Sequence, residues 1–386
     1  MILSYGDPMN ERLKVMTVLG TRPEIIRLSE IMKKLDKFTD HTLVHTNQNY
    51  DYELNNIFFE ELGLRDPDYL LNVKGSSVGE QIGKILIQTE EVMIKEKPEA
   101  LLILGDTNSA LSCIIAKRLK IPVFHMEAGN RCFDDRVPEE INRRIVDHTS
   151  DINLTYTEHA RRNLLNEGLS SHDIFVTGSP MAEVLEANRD KIERSSILEE
   201  LDLNKDGYFL ISTHREENVD DARNLKIILE TLELLIDKYR LPVVFSAHPR
   251  TRKRIEELGA KQSELIMFHK PFGMFDYVKL QKNAYCNLSD SGTLHEDAGI
   301  MGFPALVIRE STERPEAYDT GNVILTGIDS RLILQSVEMV RKQYEDGARF
   351  TTPIDYRETN ISDKVVRLIL GWSRLTFKKT YYAAER

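Results

Sequence analysis

Carboxylates and arginines are concentrated in one stretch of this chain, residues 124–144, which reads FHMEAGNRCFDDRVPEEINRR. Glu127 follows a short apolar segment that is typical of a buried strand, and Glu139 lies where a helix is expected to begin. Asp106 ends an earlier apolar segment, LLILGD. Acids at the ends of parallel strands meet at one edge of a sheet, where open α/β folds bind ligands. We therefore expect an acid–base site, with a solvated charged loop as the alternative. Positioned carboxylates of this kind are what a reaction that removes a proton from a weakly acidic carbon needs.

A first candidate for anion binding is the turn GTRPE at residues 20–24, between the first predicted strand and the first predicted helix. Its glycine permits a tight turn, and Thr21 can cap the helix. Arg22 and Arg27 add positive charge near backbone amides that point out of the helix N-terminus. A capped helix without a ligand is an equally good interpretation of this turn.

A second candidate is the segment SDSGT at residues 289–293, which also follows a strand and opens a helix. Its small residues, Ser291, Gly292 and Thr293, let backbone N–H groups approach phosphate oxygens. Arg314 could neutralise a diphosphate, and the acids one turn into the helix, Glu296 and Asp297, could accept hydrogen bonds from a ribose diol. This pattern favours phosphate binding over an ordinary capped helix, because the arginine is expected only for an anion.

Two histidines stand at the ends of later predicted strands. His214 lies in THREEN at residues 213–218, and His248 lies in AHPR at residues 247–250. Histidine in such a place can donate to phosphate or exchange a proton near neutral pH. A lone histidine is usually structural, but two in equivalent places favour a shared site.

Short apolar strands alternate with amphipathic helices along the chain, which predicts an α/β fold with doubly wound parallel sheets. A charged helical segment interrupts the alternation, which then starts again. We therefore predict two Rossmann-like domains that face a cleft, at residues 13–181 and 182–361. The first would be completed by a C-terminal helix at about 362–386, and residues 1–12 would form an N-terminal extension.

The composition excludes several classes of protein. A formal net charge of −11 argues against nucleic-acid binding. The three cysteines lack the spacing of metal ligands or of a disulfide framework. No apolar run is long enough to span a membrane and no signal-peptide pattern is present, so we expect a cytosolic protein without membrane insertion. The sequence also lacks the motifs of P-loop NTPases, α/β-hydrolases and nicotinamide enzymes.

Six segments, taken in order, resemble those of the non-hydrolysing UDP-N-acetylglucosamine 2-epimerase family: GTRPE, GDTN, EAG…PEEINRR, THREEN, SDSGTLHED and STERPEA. The resemblance covers about residues 14–330. It implies the two-domain GT-B-type fold, a homodimer, and catalysis without metal or nicotinamide cofactor. The implied reaction removes the C2 proton of a UDP-2-acetamido sugar and expels UDP, giving a 2-acetamidoglycal. UDP then adds back while C2 is protonated from the other face.

The resemblance also implies roles for individual residues. The catalytic acids fall on Asp106, Glu127 and Glu139, and the catalytic-site histidine falls on His214. Together with the patterns above, it predicts a set of UDP and substrate contacts: Arg22, Arg27, Gln48, Arg143, His248, Phe272, Ser291, Gly292, Thr293, Glu296, Asp297 and Arg314. Which carboxylate acts as base and which as acid stays open.

The chain departs from the family pattern at several places. Gln48-Asn49-Tyr50 replaces Gln-His-Arg in the segment of the family's allosteric UDP-N-acetylglucosamine site, and Gly292-Thr293 replaces Gly-Gly. Asp297 stands where a ribose-binding Glu is expected, with Glu296 as a substitute. The loop between Glu127 and Glu139 is shorter than usual.

These variations resemble one branch of the family. The segments that carry the likeness are QNYDYELNNIFFEELGLRDPDYLL, EAGNRCFDDRVPEEINR and KPFGMFDYVKLQK. That branch converts UDP-2-acetamido-2,6-dideoxy-L-talose to UDP-N-acetyl-L-fucosamine for capsule or O-antigen synthesis.

Four alternatives remain at this stage. The substrate could be UDP-N-acetylglucosamine, which would give UDP-N-acetylmannosamine. A GT-B glycosyltransferase would share the fold and the UDP contacts, although the acids of the first domain argue against it. A non-catalytic UDP-sugar sensor should lack one of the four catalytic residues, and all are present. Release of UDP and free sugar would indicate the hydrolysing relatives.

Overall fold

The computed structural model describes residues 12–48, 52–213, 215–247, 249–259 and 262–381. The described chain divides into two compact units. One contains the chain up to Val184 and again from Glu358, and the other is Leu185–Arg357. The boundaries inferred from the sequence, after residues 181 and 361, stay predictions of where independently folding domains end.

Each unit is built on one sheet whose strands are all parallel. The first sheet contains β1 (Lys14–Leu19), β2 (Asp40–His45), β3 (Tyr69–Leu70), β4 (Ala100–Leu104), β5 (Val123–Met126), β6 (Ile152–Thr155) and β7 (Ile174–Val176), in the order β3-β2-β1-β4-β5-β6-β7. The second contains β8 (Phe209–Ser212), β9 (Val243–Ser246), β10 (Ile266–His269), β11 (Cys286–Ser289), β12 (Ala305–Val307) and β13 (Ile324–Leu325), in the order β10-β9-β8-β11-β12-β13. In both, the first strand is central and the chain moves outward in two directions, which is the doubly wound topology.

Helices connect the strands. They are α1 (Arg22–Phe38), α2 (Tyr52–Leu62), α3 (Val78–Glu96), α4 (Cys113–Arg118), α5 (Pro138–Thr149), α6 (Glu158–Asn166), α7 (Met181–Ala187), α8 (Arg189–Glu193), α9 (Ile197–Glu200), α10 (Glu216–Val219), α11 (Ala222–Tyr239), α12 (Pro249–Leu258), α13 (Met274–Asn283), α14 (Thr293–Met301), α15 (Glu316–Asp319), α16 (Ser330–Glu345) and α17 (Ile361–Tyr381). Short 3₁₀ helices lie at Asn108–Ser112, Ser171–Asp173 and Ile354–Tyr356. Within the described ranges, no helix combines the length and the apolar character that a membrane crossing requires.

The central strands are apolar along their whole length because helices cover both faces of a parallel sheet. All five residues of β4 are buried, as are all four of β5. In the second unit, β8 and β9 pack with α11 and α16 around one apolar core. The predicted class, two Rossmann-like parallel-sheet α/β domains, is therefore confirmed.

The last helix, α17, packs on α1 of the first unit. Ile369 is fully buried, while the next residue, Leu370, is 46% exposed. The ring of Trp372, the chain's single tryptophan, lies 5.0 Å from that of Phe175. In sequence, α17 follows the second unit, so no short connection holds it against the first unit. Its position therefore depends on the packing of its apolar face.

We predict that Ile369→Ala lowers the free energy of unfolding by about 2–5 kcal/mol, because it leaves a cavity under α17. Leu370→Ala is the matched control and should cost less than about 1 kcal/mol, since that side chain lies at the surface. Denaturant titration followed by Trp372 fluorescence measures both. Equal losses in the two variants would contradict the buried position of Ile369.

Candidate active site

Asp106 lies in the loop that follows β4, in partly exposed surroundings. Arg143 of α5 donates from Nε and approaches with Nη2, both at 2.8 Å from the same Asp106 carboxylate oxygen. Asn142, the preceding residue on α5, donates from its side chain to the Asp106 carbonyl oxygen at 2.9 Å. Arg143 was predicted to contact UDP, and here it is the cation that holds Asp106.

Glu127 lies in the loop that follows β5, the strand next to β4. Its backbone has φ of 65°, the left-handed region that non-glycine residues rarely adopt. Arg27 of α1 forms an ion pair with the Glu127 carboxylate, and Asn130 donates to its other oxygen at 3.3 Å. Arg27, another predicted substrate contact, is thus a partner of a predicted catalytic acid.

A buried polar network supports the Glu127 loop from below. Asp147 of α5 accepts a hydrogen bond from Arg131 at 2.6 Å and from the Gly129 backbone at 3.2 Å. His125 donates from Nε2 to the carbonyl oxygen of Gly105 at 2.9 Å, which ties the end of β5 to the end of β4. These contacts hold together the two loops that carry Asp106 and Glu127. Sequence reasoning missed them, because their partners lie 16 to 20 residues apart.

Glu139 and Glu140 are neighbours in the first turn of α5 but differ in their surroundings. Glu140 is fully buried and accepts a hydrogen bond from Arg143 at 2.8 Å and from the Cys132 backbone at 3.1 Å. Burial acts against ionisation, but Arg143 and the Cys132 contacts prevail and lower the pKa of Glu140. Glu139 is partly exposed, and its side chain makes no hydrogen bond or ion pair in the described part of the chain. Of the two acids, Glu139 is therefore the one available to a ligand.

Glu24, which the sequence analysis did not single out, is buried at the start of α1. Its carboxylate accepts hydrogen bonds from the Gly20 backbone at 3.1 Å, from the Thr21 hydroxyl at 2.7 Å and from the Thr107 hydroxyl at 3.1 Å. Burial raises the pKa of Glu24 to about 7, although these hydrogen bonds oppose the rise.

Thr21 was predicted to cap α1, and it is the N-cap residue, but its side chain makes no capping hydrogen bond. The Thr21 hydroxyl instead donates a hydrogen bond to the Glu24 carboxylate. The spacing T-x-x-E, which is that of a capping box, was the signal that could have revealed the pair.

The other predicted contacts of the first unit are Arg22 and Gln48. Arg22 is exposed, and its guanidinium lies 5.6 Å from the centre of the Phe58 ring. Gln48 is buried, and its backbone carbonyl oxygen accepts a hydrogen bond from the Gln81 side chain at 3.0 Å. His214, His248 and the Asn49-Tyr50 pair lie outside the described residues, so their predicted roles stay predictions.

In the second unit, the segment SDSGT joins β11 to α14. The hydroxyls of Ser291 and Thr293 lie 2.9 Å apart at the start of that helix. Gly292 occupies the N-cap position without a side-chain cap, and a Cβ there would meet a Glu313 carboxylate oxygen at 2.7 Å. A residue larger than glycine would therefore displace Glu313. The three residues form one loop at a helix N-terminus, as the sequence predicted.

Asp290 is the fully buried centre of this region. It accepts hydrogen bonds from the Thr213 hydroxyl at 2.6 Å, the Arg215 backbone at 3.1 Å and the Asn218 side chain at 3.0 Å. One carboxylate thus ties the THREEN loop after β8 to the SDSGT loop after β11. Sequence analysis treated these loops separately, since 72 residues separate Asp290 from Asn218.

The remaining predicted UDP contacts are engaged with one another or with the core. Arg314 and Glu296 are both buried, and Nη2 of the arginine lies 3.3 Å from the glutamate oxygen. Asp297 accepts a hydrogen bond from Gln281 at 3.0 Å. Phe272 packs beside the apolar cluster around Tyr208, with its ring centre 5.4 Å from that of His269. Within the described ranges, no group of three or more His, Cys, Asp or Glu side chains is arranged to hold a metal ion.

The buried Glu24 carboxyl predicts a dependence of stability on pH. The unfolded carboxyl ionises near its ordinary pKa of 4.5, and the folded one near 7. Its contribution to stability is therefore complete below pH 4.5 and is lost as the pH rises through 7. The glutamine of Glu24→Gln does not ionise. The free energy of unfolding of this variant, relative to that of the wild type, should therefore grow by about 2 kcal/mol between pH 5 and pH 8.

Denaturant titrations at several pH values measure this difference. Glu30→Gln, which removes a partly exposed carboxylate from the same helix, is the control for loss of one charge from α1. A Glu24→Gln difference that stays flat from pH 5 to pH 8 would contradict the buried ionisation.

Comparisons with known proteins agree with this arrangement. The model of the family described as UDP-N-acetylglucosamine 2-epimerase matches residues 33–370. The structure is similar to that of UDP-N-acetylglucosamine 2-epimerase from Rickettsia bellii, with TM-score 0.89, 47% identity and coverage of 96% of this chain and 100% of the other. It is also similar to the Methanocaldococcus jannaschii UDP-GlcNAc 2-epimerase solved with UDP-GlcNAc and UDP, with TM-score 0.87, 38% identity and coverage of 93% and 100%.

A third relative has a different name. The UDP-2,3-diacetamido-2,3-dideoxy-D-glucuronate 2-epimerase of Pseudomonas aeruginosa is 35% identical over 328 residues, which are 84% of this chain and 91% of the relative. The named substrates thus differ among the relatives, while the 2-epimerase reaction is common to their names. The family model covers most of the chain, and the identities are well above the level at which only a fold is shared. This chain belongs to the UDP-N-acetylglucosamine 2-epimerase family.

Proposed function

We propose that this protein inverts C2 of a UDP-2-acetamido sugar by eliminating UDP and adding it back through a 2-acetamidoglycal. The observation that carries the proposal is the pairing of Asp106 with Arg143 and of Glu127 with Arg27 in loops after two adjacent strands. Membership of the 2-epimerase family supports the same reaction. Asp106, Glu127, Glu139 and His214 are the proposed catalytic residues.

The reaction needs proton carriers on both faces of one carbon. In the first half, a carboxylate takes the C2 proton, the C1–C2 double bond forms, and the C1–O electron pair leaves with UDP. In the second half, a UDP oxygen attacks C1 while C2 takes a proton from the opposite face. Three acids in one region supply enough groups for both proton transfers. Arginines already contact two of these acids, so they need little rearrangement to stabilise the charges of the reaction.

UDP is assigned to the loops of the second unit. The helix N-terminus formed by Ser291, Gly292 and Thr293 suits a phosphate. Arg314 is proposed to neutralise the charge of the diphosphate. Glu296 and Asp297 are proposed for the ribose and Phe272 for the uracil. Further proposed substrate contacts are Arg22, Arg27, Gln48, Arg143 and His248. The complex of the Methanocaldococcus jannaschii relative with UDP-GlcNAc and UDP supports this class of ligand.

The substrate that we propose is UDP-2-acetamido-2,6-dideoxy-L-talose, with UDP-N-acetyl-L-fucosamine as the product. The branch-like segments at residues 48–71 and 270–282 support this choice. UDP-N-acetylglucosamine is the second candidate, because the names of the Rickettsia and Methanocaldococcus relatives favour it. The homodimer and the cytosolic location expected from the sequence stay predictions.

Proton NMR in D2O distinguishes the two substrates. We expect deuterium to enter C2 of UDP-N-acetyl-L-fucosamine, with the talo epimer appearing, because elimination exchanges the C2 proton with solvent. UDP-N-acetylglucosamine in a separate tube is the comparison. Exchange only in that tube would keep the reaction and overturn the 6-deoxy substrate. Exchange in neither tube, with UDP still bound, would overturn both proposed substrates.

The catalytic acids are tested by Asp106→Asn and Glu127→Gln. Each should reduce kcat by at least about a hundredfold, while UDP affinity stays within about tenfold, because a group that acts in the chemical step affects kcat first. Steady-state kinetics and calorimetric titration with UDP measure the two quantities.

Asp135→Asn is the matched control for these variants. It removes a carboxylate from the same acidic loop, one whose side chain is 74% exposed and pairs with Arg144. It should leave kcat unchanged. Near-normal turnover in Asp106→Asn or in Glu127→Gln would show that the catalytic assignment of that residue is wrong.

A further inference from the structure

One buried carboxyl group near the candidate site is used by no step of the proposed reaction. Glu24 is 1% exposed, and none of its neighbours in the described chain forms an ion pair with it. Its partners are the backbone amides of Gly20 and Thr21 and two hydroxyls, which are all neutral. Glutamate is rarely buried without a cation, because removing its charge from water is costly.

The partners of Glu24 come from two different loops. Gly20 and Thr21 belong to the loop between β1 and α1, and Thr107 belongs to the loop after β4. Thr107 is the residue directly after Asp106, and its hydroxyl also accepts a hydrogen bond from the Ser109 backbone at 3.2 Å. Thr107 thus joins Glu24 to the turn that begins immediately beyond Asp106.

The Asp106 loop is held from two sides. Asn142 holds the Asp106 carbonyl from α5, and Glu24 holds Thr107 from α1. One helical turn beyond Glu24, Arg27 contacts Glu127. The first turns of α1 therefore contact both loops that carry predicted catalytic acids.

A simple cap at the start of α1 does not require this arrangement. A glutamine has nearly the same volume as a glutamate and carries no charge. Burial disfavours the charged form of Glu24 enough to raise its pKa to about 7. The glutamine amide would present N–H groups to Thr107 where the glutamate presents an acceptor. Of these two side chains, only the carboxylate offers a separate acceptor oxygen to each loop. Residues that reduce stability in this way are typical of functional sites.

We propose that Glu24 is a positioning residue for the reaction: its carboxylate accepts hydrogen bonds from the Gly20–Thr21 loop and from Thr107, and so fixes the backbone that presents Asp106. This inference rests on the proposed function. Glu24 itself touches no reacting atom in this scheme and acts through Thr107.

The test is a double-mutant cycle between Glu24→Gln and Thr107→Val, with kcat and KM measured on the UDP-sugar that the wild-type protein epimerises. Glu24→Gln should reduce kcat about five- to tenfold, the size expected when one hydrogen bond to a charged group is lost. KM and the Kd for UDP should stay within about twofold. Thr107→Val also loses the bond from Ser109 and should be slower.

We expect two further results from these variants. The double variant should be no slower than Thr107→Val alone, because both changes remove the same contact. Thr107→Ser, which keeps the hydroxyl, should recover most of the activity. Glu30→Gln on the same helix is the matched control and should keep the wild-type kcat.

Several outcomes would overturn the inference. They are a wild-type kcat in Glu24→Gln, losses that multiply in the double variant, and a melting temperature of Glu24→Gln at pH 8 that falls below that of the wild type. The last would show that the loss of activity comes from a weakened fold. A wild-type protein that binds UDP but epimerises no UDP-2-acetamido sugar would instead overturn the proposed function, and this inference with it.

Discussion

Placing two carboxylates at neighbouring strand ends is the constraint on which the first unit depends. Because β4 and β5 are parallel and adjacent, the loops that carry Asp106 and Glu127 begin at the same edge of the sheet. A cation beside a carboxylate favours its charged form. Arg143 and Arg27 are these cations, and each comes from a helix that packs against the sheet.

The sequence was sufficient for the fold class and for most elements, since long apolar or amphipathic segments have a clear period. Two strands, β3 and β13, are only two residues long and show no alternation, so no local pattern predicts them. Sequence analysis also gave no account of α12, whose sequence PRTRKRIEEL is dominated by charge. Such an element is stabilised by what it packs against, and a local pattern contains little of that information.

For the site, the sequence identified the residue types that can do chemistry but not their partners. It proposed Arg27 and Arg143 as contacts of the substrate but gave no sign that they contact Glu127 and Asp106. Glu24 and Asp290 were overlooked because each joins segments more than 70 residues apart. A buried acceptor that joins distant loops has no local signature, and only the folded backbone shows which donors surround it.

The last helix has a consequence for how the chain is made. The segment that forms the second unit, Leu185–Arg357, is inserted between the two parts of the first unit, so it leaves the ribosome before α17 does. The apolar face of α1 that α17 covers therefore stays exposed to solvent while the whole inserted unit is translated. The unit with the earliest sequence is the last to be completed, and it remains open to chaperones and to premature association for longest.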